Sequence, residues 1–330
     1  MGEARGWVWS GGREPEQLQL SPLQIPEPAP EEVIVENRAV ALNPVDWKVL
    51  PSTTLGWQPG HVPGVDGAGV VIAAREKAGI AVGTRVAYHQ NLEREGSFAT
   101  HTKIVAKALH VVPEGVSFAQ AATVPCPGLT AWQAIDKLPV EAGRDVLVIG
   151  GGAATGNFLT QLAVDSGYRV WVTASERHHP RLRAMGVAGL CDYHDAKWRM
   201  GLLDALQRTS GSGNLYAAID TVGEDHARTL APLIGYNGHL VSLQGRLNTP
   251  PMPGFTTVIS LHEVALGAIY RYGSELDWQK LRAAGQGLLG AIAEGQMQTP
   301  EIEPFDFEDL GNTLARLKAG RQRGKLVAEL

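Results

Sequence analysis

The stretch DVLVIGGGAATG, residues 145–156, decides the fold. Its apolar residues Val146–Ile149 predict a buried β-strand, the glycines predict a tight turn, and a helix is expected over about 157–166. This order of elements lets the backbone approach a pyrophosphate closely, and the helix N-terminus offers N–H groups and a favourable dipole to the anion. The stretch therefore predicts a dinucleotide site formed by Gly150, Gly152, Ala153, Ala154, Thr155 and Gly156.

Strands and helices alternate through the region that contains this stretch. The predicted strands are Asp145–Ile149, Val170–Thr173, Ala217–Asp220 and His239–Leu243. The predicted helices are Leu129–Asp136, the one after the glycine turn, Arg199–Arg208 and Ala227–Leu233. Such alternation indicates βαβ units, and right-handed crossovers then favour a doubly wound Rossmann domain with a parallel sheet.

The regions on either side have a different pattern. The N-terminal part contains short β-type runs separated by Pro and Gly, namely Val33–Glu36, Gly69–Ala73, Thr84–Tyr88 and His110–Val112. The C-terminal part contains one long helix, Trp278–Glu294, and a final strand, Lys325–Leu330. Because this tail is too small for its own core, we expect it to complete the N-terminal domain. The predicted domains are residues 1–125, 126–270 for the nucleotide domain, and 271–330 for the return segment.

Composition excludes several classes of function. The chain has 330 residues, 44% hydrophobic and 19% charged, with a formal net charge of -5, so a phosphate-binding surface for nucleic acid is not expected. Cys126 and Cys191 are too few for a disulfide framework or a zinc site built from cysteines. Neither a signal peptide nor an apolar run of about 20 residues is apparent. We therefore expect a cytoplasmic protein without a membrane anchor.

Cofactor choice depends on the end of the second strand of the nucleotide domain. NAD enzymes usually place a carboxylate there, whereas this chain continues as Val172-Thr173-Ala174-Ser175. The Ser175 hydroxyl and Arg177, with Arg181 as a second candidate, are suited to a 2′-phosphate. The alternative is a solvated loop without a specific partner, and Glu176 opposes an anion. This pattern predicts NADPH.

Several motifs together resemble a known family. They are ALNPVDWK (41–48), PGVDGAGVV (63–71), GTRV (83–86), GSFA (96–99), GLTAW (128–132), the glycine turn and GKLV (324–327). They are similar to the medium-chain dehydrogenase/reductase superfamily, which is zinc-type alcohol dehydrogenase-like, and within it to the zinc-independent quinone oxidoreductase branch. The resemblance implies a GroES-like β domain plus an inserted Rossmann domain, an α/β protein overall.

The resemblance also allows the zinc site to be examined. Zinc-bearing relatives have a cysteine ligand where this chain has Asn43, a His-Glu pair at Val65-Asp66, and a third ligand at Cys126. Catalytic zinc needs three N, S or carboxylate ligands and an open position. Asn43 is a poor ligand and Val65 is none, so no catalytic metal is expected. Without a Lewis acid, conjugated acceptors are easier substrates than alcohols.

The same resemblance suggests roles for individual residues. Asn43 and Asp46 are expected beside the nicotinamide, with Asp46 positioning a neighbour such as Lys48. Protonation is left open between Tyr88, Lys48, His89 and water. The remaining predicted cofactor contacts are Thr130, Val222, Leu243 and Lys325, the last at the pyrophosphate.

These inferences predict NADPH-dependent hydride transfer to a quinone or an α,β-unsaturated carbonyl compound. Two alternatives remain open, a reductase of enoyl thioesters such as acyl-CoA and a non-catalytic NADPH-binding protein. The expected partners are the small-molecule substrate and a second copy of the chain. By resemblance, the segment Thr256–Tyr270 is the candidate for pairing in a homodimer.

Overall fold

The computed structural model describes residues 4–330, except for the side chain of Glu224. The strands are β1 (Arg5–Val8), β2 (Gln19–Pro22), β3 (Glu32–Ala41), β4 (Asp66–Ala74), β5 (Arg85–His89), β6 (His101–Val105), β7 (Leu109–Val111), β8 (Asp145–Ile149), β9 (Arg169–Thr173), β10 (Gly189–Cys191), β11 (Leu215–Asp220), β12 (Ile234–Ser242), β13 (Ser260–Glu263), β14 (Ile302–Pro304) and β15 (Lys325–Glu329). The α-helices are α1 (Pro44–Lys48), α2 (Phe118–Ala122), α3 (Pro125–Asp136), α4 (Ala154–Asp165), α5 (His179–Ala184), α6 (Trp198–Ser210), α7 (Glu224–Leu230), α8 (Ile269–Tyr272), α9 (Glu275–Ala293) and α10 (Leu310–Lys318).

The chain divides into two units. The first unit combines the residues up to Leu129 with Gly267–Leu330, and the second unit is Thr130–Leu266. The second unit is therefore inserted into the first, and the expected α/β fold, a GroES-like β domain plus a Rossmann domain, is confirmed. None of the helices within residues 4–330 is long and apolar enough to cross a membrane.

The sheet of the first unit is built around β3. Its strand order is β14-β15-β3-β4-β5-β7, and β6 also pairs with β3. Most of β3 is buried, as expected for a strand that pairs along its length with β4, β6 and β15. Because β15 pairs antiparallel with β3, in the register Val327 to Ala41, the C-terminal residues complete this sheet. The pairing places Lys325 near the end of β3, from which α1 follows.

The second unit has a six-stranded parallel sheet in the order β10-β9-β8-β11-β12-β13. All five residues of β8 are buried, as is typical of a central parallel strand. From β8 the chain first builds outward to β10, then returns to β11 on the other side of β8. The strand order therefore reverses between β8 and β11. In open α/β sheets, ligands bind beyond the carboxyl ends of the strands at this reversal.

Several predicted elements begin earlier in the structure than the sequence pattern indicated, and the physical reason is clearest for two of them. The helix expected from about 157 starts at Ala154, because the extended Ala153 precedes it and the small residues after it enter the first turn. The strand expected from His239 starts at Ile234. Its first residues include Gly235, Gly238 and Asn237 with φ 55°, which break the β pattern. The pairing with β11 is irregular at the same place.

Candidate active site and nucleotide site

A buried polar cluster lies where β3, β4 and β15 meet in the first unit. We define it as Asn43, Asp46, Asp66 and Lys325, all of which are buried. Asn43 Nδ2 donates to Asp66 Oδ2 at 2.9 Å, and Lys325 Nζ donates to Asn43 Oδ1 and lies 3.6 Å from Asp66 Oδ2. One ammonium therefore stands beside both an amide and a carboxylate, away from water.

Asp46 has a different environment within the cluster. Its Oδ2 accepts a hydrogen bond of 2.6 Å from the backbone N–H of Asn43, whereas its buried Oδ1 has no hydrogen-bond partner among the described residues. Burial raises the pKa of Asp46 to about 8, opposed by that backbone hydrogen bond, so the carboxyl carries a proton at neutral pH. Asp46 therefore holds the backbone of Asn43. That it also positions a neighbour such as Lys48 stays a prediction.

Asp66 connects the cluster to helix α3. Its Oδ1 accepts a hydrogen bond of 2.9 Å from the backbone N–H of Cys126, the second residue of α3. Burial raises the pKa of Asp66 to about 6, although Lys325 lowers it. Burial also raises the pKa of the Cys126 thiol well above its usual range. Within residues 4–330, no three His, Cys, Asp or Glu side chains are grouped in a way that could hold a metal ion.

Two of the other predicted protonating residues, Tyr88 and His89, lie next to this cluster on β5, where His89 pairs with Asp66 of β4. The Tyr88 hydroxyl donates to Asn37 Oδ1 at 2.7 Å, and burial raises the pKa of this fully buried phenol. This environment favours a structural role for Tyr88. Burial lowers the pKa of His89 to about 3, so its ring is neutral. Lys48 is exposed at the end of α1, with Nζ 5.7 Å from the ring centroid of Trp47, and partial burial lowers its pKa.

The glycine turn of the second unit follows β8. Gly150 has φ 79°, and its N–H donates to Thr173 Oγ1 at 3.0 Å. A Cβ added to Gly156 would lie 2.1 Å from Gly150 O, so only glycine allows α4 to start so close to the turn. The backbone N–H groups in the first turn of the 12-residue helix α4 have no hydrogen-bond acceptor within the helix. Together, the tight turn and the helix N-terminus fit a bound pyrophosphate.

The basic loop, residues 175–181, follows β9 beside this turn. Ser175 is half-buried and Arg177 is exposed, and Arg177 Nε donates to His178 Nε2 at 2.9 Å. Arg181 donates to Asn157 of α4. Sequence reasoning missed His178 and Asn157, since neither has a motif. Arg177 and Arg181 give the loop the positive charge that binding of a 2′-phosphate requires.

The end of β11 lies across the reversal of strand order from the glycine turn. Thr221 Oγ1 donates to Ile149 O at 2.9 Å, which ties this loop to the end of β8. The fully buried Asp220 accepts from Gly223 N at 2.8 Å and lies 2.5 Å from Nδ1 of His226. These contacts fix the backbone around the exposed Val222. His226 was also missed, because its partner lies six residues earlier and the sequence showed only a loop.

The three remaining predicted cofactor contacts are Leu243, Thr130 and Lys325. Leu243 directly follows β12, and its N–H donates to Asp220 O at 3.0 Å. Thr130 lies within α3, one turn after Cys126. The structure thus brings the glycine turn and the loops after β9, β11 and β12 to one edge of the sheet. Lys325 belongs to the buried polar cluster of the first unit, and its predicted contact to a pyrophosphate stays a prediction.

Comparisons with known proteins agree with this architecture. Residues 29–132 match the alcohol dehydrogenase GroES-like domain family. The chain is 32% identical to the trans-enoyl reductase gkaC of Penicillium citrinum over 52% of this chain and 52% of that protein. It is 26% identical to the 2-methylene-furan-3-one reductase of Solanum lycopersicum over 98% of this chain and 79% of that protein. The matched part spans only 52 to 63% of the length of the first curated relatives.

Solved structures extend the likeness to the whole chain. The quinone oxidoreductase from Coxiella burnetii superposes with a TM-score of 0.80 over 99% of both chains, at 23% identity. At this level of identity the likeness establishes the fold.

Proposed function

The chain belongs to the medium-chain dehydrogenase/reductase superfamily, and from that premise we propose that it transfers a hydride from NADPH to a conjugated carbonyl compound or a quinone, without a catalytic metal. The observation that carries this proposal is the buried polar cluster. By resemblance, zinc-bearing relatives have metal ligands at the positions of Asn43 and Cys126. Here the charge at that place comes from the Lys325 ammonium, which contacts Asn43 and Asp66.

NADPH is the proposed cofactor because two features fit its two phosphate groups. The glycine turn and the N-terminus of α4 suit the pyrophosphate, with Gly150, Gly152, Ala153, Ala154, Thr155 and Gly156 around it. Ser175 and Arg177 suit the 2′-phosphate, since charge-assisted hydrogen bonds from a guanidinium favour a dianion. We include Thr130, Val222 and Leu243 as further contacts.

When bound, NADPH supplies the hydride, and the protein must accommodate the negative charge that then develops on the acceptor. In a conjugated acceptor, a hydride added at the β-carbon moves that charge onto the distant oxygen. Fixed hydrogen-bond donors in a buried site stabilise such charge more strongly than water does. Lys325 Nζ has three N–H donors. Asn43 Oδ1 accepts a hydrogen bond from one of them, and Asp66 Oδ2, 3.6 Å away, is an ion-pair partner. A remaining N–H is our proposed donor to the acceptor oxygen.

The remaining cluster residues hold this donor in place. Asn43 bridges Lys325 and Asp66, and Asp46 holds the backbone of Asn43. The protonated Asp46 avoids placing a second negative charge beside Asp66, which leaves the positive charge of Lys325 less neutralised. Lys48, exposed at the end of α1, stays a candidate for returning a proton from solvent. Tyr88 is the weakest candidate, since its hydroxyl is buried against Asn37.

A second candidate function is reduction of an enoyl thioester. The observation that favours it is the series of relatives named trans-enoyl reductases. The hydride chemistry would be the same, because an enoyl thioester is also a conjugated acceptor. The third reading, a non-catalytic NADPH-binding protein, would keep the nucleotide site and lose turnover.

We also propose a homodimer that pairs through β13, which lies at the edge of the parallel sheet.

Steady-state oxidation of NADPH tests the proposal, with NADH as the control and with a quinone, an enone and an enoyl thioester as acceptors, each with and without a chelator. We expect turnover with NADPH on the quinone or enone that survives the chelator. Turnover on the thioester alone would favour the second candidate. NADPH binding without any turnover would favour the non-catalytic reading, and loss of activity to the chelator would contradict metal-free catalysis.

A further inference from the structure

His178 lies directly against the glycine turn. A Cβ added to Gly152 would be 2.5 Å from Cδ2 and 2.7 Å from Nε2 of the His178 ring. Real Cβ atoms do not approach other heavy atoms this closely, so the ring occupies space that only glycine leaves open. The half-buried imidazole thus lies between the turn that suits a pyrophosphate and the loop that suits a 2′-phosphate.

The hydrogen bond from Arg177 indicates the protonation state of this ring. Arg177 Nε donates to His178 Nε2 at 2.9 Å, and a guanidinium can only donate. Nε2 is therefore an unprotonated acceptor, and the proton of the neutral ring is on Nδ1. Protonation of His178 would break this hydrogen bond and place a second cation beside Arg177.

Several charged side chains lie in the same segment as His178. Arg177 and Arg181 are positive and Glu176 is negative, while Asp192 acts electrostatically on the adjacent His179. His179 directs Nε2 to Ala174 O at 3.0 Å. On the side of the glycine turn, the facing residues Gly152 and Asn157 carry no charge. Protonation of His178 therefore adds a further positive charge to the two that Arg177 and Arg181 already supply.

We propose that His178 is a ligand of the cofactor's 2′-phosphate and that its protonation sets the preference for NADPH over NADH. This inference rests on the proposed function, because it needs the nucleotide to lie at the glycine turn. A dianion beside the imidazole favours the imidazolium form, so NADPH binding raises the pKa of His178 and takes up a proton. NADH has no phosphate at this position and produces no such uptake.

The direction of the pH dependence follows from this linkage. A group whose pKa is higher in the complex than in the free protein strengthens binding fully at pH values below its pKa in the free protein. This gain in affinity is lost as the pH rises through its pKa in the complex. A free histidine titrates at about 6.5, and each pKa unit gained on binding corresponds to about a tenfold change in affinity. The second pKa of a phosphate group is about 6, so the 2′-phosphate is mainly a dianion in measurements above that pH.

Fluorescence titration of the full chain with NADPH and with NADH, between about pH 6.5 and 8.5, tests the proposal. The ratio of NADH to NADPH dissociation constants should fall by about tenfold across this range in the wild type. His178→Gln should flatten this change, and the matched variant His179→Gln should keep it. Calorimetry in two buffers of different ionisation enthalpy should show more proton uptake with NADPH for the wild type than for His178→Gln.

Each outcome separates this inference from the function on which it rests. A pH-independent ratio in the wild type would overturn the role of His178 and leave NADPH binding intact. The same slope in His178→Gln as in the wild type would do so too. Should His178→Gln fail to fold, the wild-type ratio and the proton uptake still decide the question. Absence of binding by both nucleotides would contradict the proposed function, and with it this inference.

Discussion

The buried polar cluster of the first unit and the basic loop of the second unit hold their charges in opposite ways. In the cluster, Lys325 is surrounded by protein partners, and burial raises the pKa of both carboxyl groups. In the loop, Arg177 is exposed and its one described partner is a titratable ring. A buried charge is held in place by its partners, and the free energy of unfolding falls when one of these partners is removed. A charge on an exposed loop can change with little cost to the fold, so its effect should appear in ligand binding.

The largest expected effect comes from removing the cation of the cluster. Lys325→Met leaves the fully buried Asp66 without its ammonium, and loss of one partner of a buried pair costs about 3 to 5 kcal/mol of unfolding free energy. The loss should be smaller at pH 5 than at pH 8, because protonation of Asp66 removes the unpaired charge. Chemical denaturation at both values measures it.

The matched control is Lys318→Met, which breaks the exposed pair between Lys318 and Glu14. Exposed pairs contribute little to stability, so this variant should unfold almost like the wild type. Equal losses in the two lysine variants would contradict the difference between the regions. So would a loss in Lys325→Met that does not depend on pH.

A second prediction for the cluster concerns the raised pKa of Asp46 and its effect on stability. Its pKa is raised from 3.8 to about 8 in the folded protein, so folding takes up a proton between these values. Wild-type stability should therefore fall as pH rises from about 4 to 8 through this group. Asp46→Asn keeps an oxygen for the N–H of Asn43 and removes the titration. Relative to wild type, it should gain about 3 to 4 kcal/mol between pH 5 and pH 8. Parallel curves for the two proteins would show that Asp46 is ionised throughout.

Alanine substitutions at two glycines of the second unit compare the glycine turn with an ordinary position in a helix. Gly156→Ala places a Cβ 2.1 Å from Gly150 O and should cost about 1 to 3 kcal/mol together with nucleotide affinity. Gly201→Ala, in the exposed part of α6, meets nothing within 4 Å and should stabilise by up to about 1 kcal/mol. Thermal unfolding compares them, and similar shifts in both would show that the turn is not closely packed.

The smallest expected effect on the fold comes from Arg177→Ala in the basic loop. NADPH affinity should fall about tenfold, because one charge-assisted hydrogen bond to a phosphate is lost, whereas NADH affinity should be unchanged. Unfolding should be the same as in the wild type, since the side chain is exposed. Equal losses for both nucleotides would place Arg177 away from the 2′-phosphate.

The nucleotide end of the fold was predictable because its signals are local. The strand Asp145–Ile149 has the predicted bounds, and the glycine turn follows within a few residues. Ser175 and Arg177 could be selected because they follow β9 directly. The strand β12 was predicted too short, because Gly235 and Gly238 interrupt its apolar pattern while its backbone still pairs.

The buried polar cluster was only partly predictable, because its contacts span the chain. Lys325 and Asn43 are 282 positions apart, so no spacing indicates that they meet. The resemblance selected both residues but did not indicate that they contact each other. His178 was missed for another reason. Its position depends on the missing side chain at Gly152, and that pairing appears only when the loop after β9 is folded against the turn.

Transfer of deuterium tests the central claim most directly. NADPH carrying deuterium as the transferred hydride is mixed with the protein and an enone, in the presence of a chelator, and the product is examined by NMR. The proposed chemistry predicts a saturated ketone with deuterium at its β-carbon and a hydrogen from water at the neighbouring carbon. An alcohol with deuterium on the carbonyl carbon, or no deuterated product despite NADPH binding, would contradict hydride transfer to a conjugated acceptor.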